Sequence, residues 1–124
     1  MTRADLEHVL RAAVAITGDG EIVVVGSSAI LGQFPDLPPE LRESKDADIY
    51  PLNHPERTEL IEAIGEMSPF DETFGYHAEG VAADLARLPA GWKERLIPVP
   101  VDGGRGLCLE VHDLVLSKYA AFRE

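Results

Sequence analysis

The chain has 124 residues, 45% of them hydrophobic and 27% charged, with 22 acidic side chains against 11 basic ones and a formal net charge of −11. Such a length buries about two-thirds of its unfolded surface, enough for one domain over residues 1–124 and too little for a second. The acidic balance excludes sequence-independent DNA binding, which runs on Lys and Arg displacing counterions, and no apolar run approaches the about twenty residues that span a bilayer.

At the start, Thr2 and Asp5 form a capping-box pattern, and Leu6, Val9, Leu10, Ala13 and Val14 recur at three- and four-residue steps. This predicts an amphipathic helix over residues 2–15. The opening Thr2-Arg3-Ala4-Asp5 is no apolar leader, and the single cysteine, Cys108, has no partner for an internal disulfide; both features point to the cytoplasm. Gly18-Asp19-Gly20 ends the helical pattern, and the β-branched run Ile22-Val23-Val24-Val25 reads as a buried strand closing at Gly26. Residues 27–31 can open a helix. Three prolines over residues 34–39 then impose an irregular connection to Asp46-Ala47-Asp48-Ile49-Tyr50, whose alternation fits a half-buried strand.

Asn53 and Glu56 repeat the capping-box pattern with Pro55 in the first turn, and Leu60, Ile61, Ile64 and Met67 make one apolar face. A helix is therefore expected over residues 54–67. Residues 69–90, with Phe70, Phe74 and Tyr76 scattered among acids and glycines, read as mixed strand and loop. Residues 96–101, interrupted by Pro98 and Pro100, form an edge strand; Gly103 and Gly104 turn it into a second strand over residues 106–111. His112 or Asp113 caps a final helix that carries Lys118.

Two patterns carry chemistry. Alternation along a strand puts Asp46 and Asp48 on one face, with Ala47 and Ile49 turned to the core. Two close carboxylates repel unless a cation sits between them, and an oxygen-seeking divalent ion such as Mg²⁺ is the usual solution. Gly26-Ser27-Ser28, at the end of the preceding strand, supplies a close backbone approach and hydroxyls for phosphate oxygens. Together they point to metal-assisted phosphoryl or nucleotidyl transfer, in which the protein positions and neutralises.

Gly26-Ser27-Ser28-Ala29-Ile30 with Asp46-Ala47-Asp48-Ile49-Tyr50 resembles the Gly-Ser and Asp-x-Asp signature of the polymerase-beta-like nucleotidyltransferase superfamily. Over nearly the whole chain the text is similar to a bacterial group of uncharacterised nucleotidyltransferases, distantly similar to the nucleotidyltransferase toxins of the AbiEii and MenT type. The resemblance implies an α/β (α+β) nucleotidyltransferase fold, a small mixed sheet flanked by helices. It implies an NTP as substrate with Mg²⁺, transfer of a nucleotidyl group to an RNA or protein acceptor, and a toxin–antitoxin setting with a cognate partner. Carried over by position, it makes Gly26, Ser27 and Ser28 the nucleotide contacts, Asp46 and Asp48 the metal ligands, and Lys118 of Asp113-Leu114-Val115-Leu116-Ser117-Lys118 a lysine near the phosphates. Relatives continue past Glu124 into an acidic helical segment that this chain is expected to lack, which leaves the third carboxylate of an active transferase unassigned, with Glu110 as the internal candidate.

Each of these residues also has a structural role open to it. Asp46 and Asp48 suit a solvated strand start, Gly26 a plain turn, Ser27 a helix cap, and Lys118 a helix-dipole partner. His8 and His54 are expected at the surface, and His77 and His112 lack metal-ligand spacing. Trp92, Phe70, Phe74 and Tyr76 are expected in the core, as is Cys108. Two alternatives stand beside the transferase: a non-catalytic nucleotidyltransferase-like antitoxin or partner-binding module lacking the third carboxylate, and a phosphoester hydrolase using the same carboxylate pair. An RNA acceptor further requires Arg42, Lys45 and Lys118 to gather at the site, given the excess of acid.

Overall fold

The computed structural model describes residues 1–41, 43–84 and 87–123. Arg42, which an RNA acceptor requires at the site, lies outside the described residues. The chain folds as a mixed α/β domain around five strands: β1 (Glu21–Val25), β2 (Asp46–Pro51), β3 (His77–Gly80), β4 (Ile97–Val101) and β5 (Gly104–Cys108). Among the described residues three α-helices accompany them: α1 (Arg3–Thr17), α2 (Pro69–Phe74) and α3 (Val111–Arg123). The sheet order is β3-β2-β1-β5-β4, with β1/β2 and β4/β5 antiparallel and β1/β5 and β2/β3 parallel.

The capping box opens α1 as the sequence predicts: the Thr2 hydroxyl accepts from Asp5 N–H, and the Asp5 carboxylate accepts from Thr2 N–H at 2.9 Å. Its apolar stripe of Leu6, Val9, Leu10 and Ala13 is fully buried against one face of the sheet, with Ile22, Val24, Ala47, Ile49, Ala78 and Val99. Burying the larger of these, Leu6, Val9 and Leu10, contributes about 1.5–3 kcal/mol each. The opposite sheet face holds a smaller apolar group of Val23, Tyr50 and Val81, partly covered by Trp92. Trp92 is thus half-buried, at the start of a 3₁₀ turn over Trp92–Arg95. β4 is an edge strand and forms the expected hairpin with β5. Cys108 is buried, and burial pushes its thiol up to about 12.

The helix expected over residues 54–67 is a 3₁₀ helix over Pro55–Ile64, and its capping box does not form. The Asn53 backbone N–H, which a capping box would give to Glu56, donates to Asp19 Oδ2 at 2.8 Å, the Asn53 amide donates to Asp19 and Glu21 at 3.0 and 3.1 Å, and no side chain caps the helix start. Thr58, Ile61 and Ile64 follow the three-residue period of a 3₁₀ helix, in which side chains eclipse at i and i+3. This row meets β3, where a Cβ on Gly80 would lie 2.9 Å from Thr58 Cγ2. The remaining members of the predicted apolar face turn outward: Leu60 is 48% exposed and Met67 82%.

Residues 69–90 contain more order than the sequence reading allowed. Ser68 caps the short α2, accepting from Asp71 N–H, and β3 follows. Phe70, Phe74 and Tyr76 stack around His8 of α1, whose Nδ1 is hydrogen-bonded to the Tyr76 hydroxyl at 2.5 Å. His8 is therefore half-buried in an aromatic cluster and not on the open surface, while Phe74 is largely exposed. The cap of α3 is also reassigned. Glu110 precedes the helix and accepts from His112 N–H at 2.9 Å, whereas Asp113 lies inside the first turn, buried against Arg95. Among the described residues no helix is long and apolar enough to cross a membrane.

Candidate active site

β1 and β2 bring the two sequence patterns together, because Val25 sits opposite Asp48 in the antiparallel register and the chain turns at Gly26 immediately afterwards. Gly26 has φ +73°, and a Cβ there would lie 2.5 Å from Asp48 Oδ2. Only glycine combines that left-handed backbone with so close an approach to the carboxylate. The next residues form a 3₁₀ helix over Ser27–Gly32. Ser27 is exposed, and its Oγ accepts from Lys118 Nζ at 2.8 Å, although 91 positions separate them in the chain. The neighbouring Ser28 points inward, 4% exposed, with no partner for its hydroxyl. The structure thus brings Gly26, Ser27, Asp48 and Lys118 together and turns Ser28 away into the protein.

Asp46 and Asp48 share a face of β2, and the Ser44 hydroxyl donates to Asp46 Oδ1 at 2.9 Å. The parallel register sets Glu79 of β3 beside Asp48. Asp46, Asp48 and Glu79 each offer an oxygen within 4.8 Å of the others. Asp48 Oδ1 is buried and has no hydrogen-bond partner. Burial pushes the Asp48 carboxyl up to about 6, the charges of Asp46 and Glu79 add to the rise, and the Lys118 ammonium opposes it. An orphaned buried oxygen inside an all-oxygen acidic group is the arrangement a hard divalent cation fits, since the ion repays both the desolvation and the repulsion.

Glu79 was not singled out in the sequence, although its signal is present: Ala78-Glu79-Gly80-Val81 places an acid between small or apolar residues. The four-residue strand is too short for alternation to stand out from the aromatics and glycines before it. Glu110, the candidate for this third position, instead has its carboxylate on His112, with Oε1 2.7 Å from Nδ1. Lys45 is exposed at the start of β2, and its carbonyl accepts from His77 N–H.

The model of a family described as a nucleotidyltransferase of unknown function (DUF6036) matches residues 4–124. No curated protein and no solved structure matches the chain.

Proposed function

Since the chain belongs to that family of nucleotidyltransferases, matched over residues 4–124, we propose that it binds an NTP with Mg²⁺ and transfers the nucleotidyl group to an acceptor hydroxyl. The observation that carries this reading is the convergence of Asp46, Asp48 and Glu79 next to the Ser27–Lys118 contact. Asp46, Asp48 and Glu79 would hold the metal, whose bound charge neutralises the carboxylates and the developing charge of phosphoryl transfer. Gly26 lets the backbone approach the phosphates, and Ser27 and Lys118 hold them, the lysine as a point charge and the serine through its O–H, which can donate while its oxygen accepts from Lys118. The acceptor oxygen bonds to the α-phosphorus as the α–β bridge breaks, pyrophosphate leaves toward Ser27 and Lys118, and the hydroxyl proton passes to solvent water beside the exposed Glu79.

The reading further takes RNA or protein as the acceptor and a toxin–antitoxin pair as the setting, which the sequence's resemblance to AbiEii- and MenT-type toxins would imply. The non-catalytic alternative rests on a lacking third carboxylate; Glu79 beside Asp48 is a candidate for that position, which favours the transferase.

Calorimetry with each of the four Mg-NTPs tests the reading. The native chain is expected to bind at least one, and Asp46→Ala with Asp48→Ala to weaken binding by more than tenfold; equal binding by both sinks the assignment. Transfer of label from α-³²P NTP to RNA or protein in a cell extract is the activity readout.

A further inference from the structure

The face of the sheet that carries the acids does not end at them. Asp46, Asp48 and Tyr50 follow one another at two-residue steps on β2, and Tyr50 joins Val23 of β1 and Val81 in an apolar group on that face. Beside this group opens a cleft of about 470 Å³ lined by Tyr50, Leu52, Leu88 and Trp92, with the exposed Asp84 and Lys93 as its polar members. We propose that this cleft is the nucleobase pocket of the substrate NTP, an inference that rests on the nucleotidyltransferase reading above.

Spacing supports it. Two residues along a strand advance about 7 Å, so Tyr50 lies one nucleoside length beyond Asp48 on the same surface. The Ser27–Lys118 contact lies at the other end, where β1 runs out beside Asp48, while Val23 lies opposite Tyr50. Phosphate contacts, carboxylates and cleft therefore succeed one another along β2 in the order of triphosphate tail, α-phosphate and base.

The chemistry agrees. The cleft has the size of small-molecule sites and their pattern of apolar walls with a few polar groups. Trp92 is half-buried, in contact with the core yet lining the cleft, and offers a planar ring for stacking. Lys93 Nζ lies 5.6 Å from that ring's centroid, and Asp84 gives an acceptor to match this donor on a base edge. A chain of net charge −11 gains little from long-range attraction to a nucleotide, so contact with the uncharged base is where it can add affinity.

Trp92 is the single tryptophan and reports on its own pocket. Titration with Mg-NTP is expected to quench its emission, while Mg-tripolyphosphate leaves the emission unchanged. Trp92→Ala is expected to weaken Mg-NTP binding by about 5- to 150-fold, the range for losing one base–aromatic stack, and to leave tripolyphosphate affinity within twofold. Trp92→Phe restores most of the NTP affinity, and circular dichroism confirms that both variants fold. Native Mg-NTP binding with unchanged Trp92 emission, together with undiminished affinity in Trp92→Ala, overturns the pocket and spares the nucleotidyltransferase reading. Failure of the native chain to bind any Mg-NTP overturns both.

Discussion

A methyl group at Gly26 would meet Asp48 Oδ2 at 2.5 Å on a backbone with φ +73°. Gly26→Ala is therefore expected to displace Asp48 or the turn, lowering Mg-NTP affinity by more than tenfold in calorimetry and costing about 1–3 kcal/mol in urea melts. Asp48 itself makes stability depend on pH. Its folded carboxyl sits at about 6 against an ordinary 3.8, through burial first and then the charges of Asp46 and Glu79. Below about pH 3.8 it is protonated folded or unfolded and has no effect. As pH rises through 6 the folded chain must ionise it at a cost the unfolded chain does not bear, so the metal-free protein loses up to ~3 kcal/mol between those limits. Asp48→Asn should then stabilise the metal-free chain at pH 7.5 and do little at pH 4; an equal gain at both pH values would contradict this origin.

At the level of elements, Arg95 and Asp113 join the turn that carries Trp92 to the helix that carries Lys118. Arg95 Nε and Nη2 donate to the two Asp113 oxygens at 2.9 Å each, and Asp113 is buried. Arg95→Ala leaves that buried carboxylate without its charge partner and is expected to lower the urea midpoint; α3 should lose amide protection in hydrogen exchange before α1 does. A second joint is Asp19, which accepts from the backbone N–H groups of Glu21, Asn53 and His54 and from the Asn53 amide, tying the α1–β1 turn to the chain after β2. Those bonds outweigh burial and lower its pKa. The same joint explains where the sequence could mislead. Asn53 and Glu56 spell a capping box, but a buried acid 34 positions away claims the Asn53 side chain, and local pattern carries no trace of that competition. The α1 stripe, the β1 and β2 strands and the Gly26–Ser27/Asp46–Asp48 pairing were legible because each depends on near neighbours and on alternation. Glu79 and the Arg95–Asp113 pair were not, since they exist only once β3 has paired with β2 and α3 has folded back on the chain.

For the molecule as a whole, the acidic excess that argued against DNA binding has an address: three of the 22 acids stand together at one end of β2 and β3. Millimolar MgCl₂ should therefore raise the melting temperature beyond NaCl at equal ionic strength, by roughly 3–6 °C per kcal/mol of binding. Asp46→Ala with Asp48→Ala should remove the difference; a gain that survives in this variant would mark general screening. The β4 border has a different consequence. Ile97, Val99 and Val101 face Cys108, Gly106 and Gly104, and Pro98 and Pro100 fall between them, opposite Leu107 and Arg105. In an antiparallel ladder the intervening residues aim their amide positions away from the partner strand. Proline has no hydrogen there, so the outer rim of β4 lacks two of the donors that another strand would need. A sheet that ends in this way cannot be lengthened from β4 by zipping on a second copy, and crowded, partly unfolded chains are denied one of their easiest routes into fibrous aggregates.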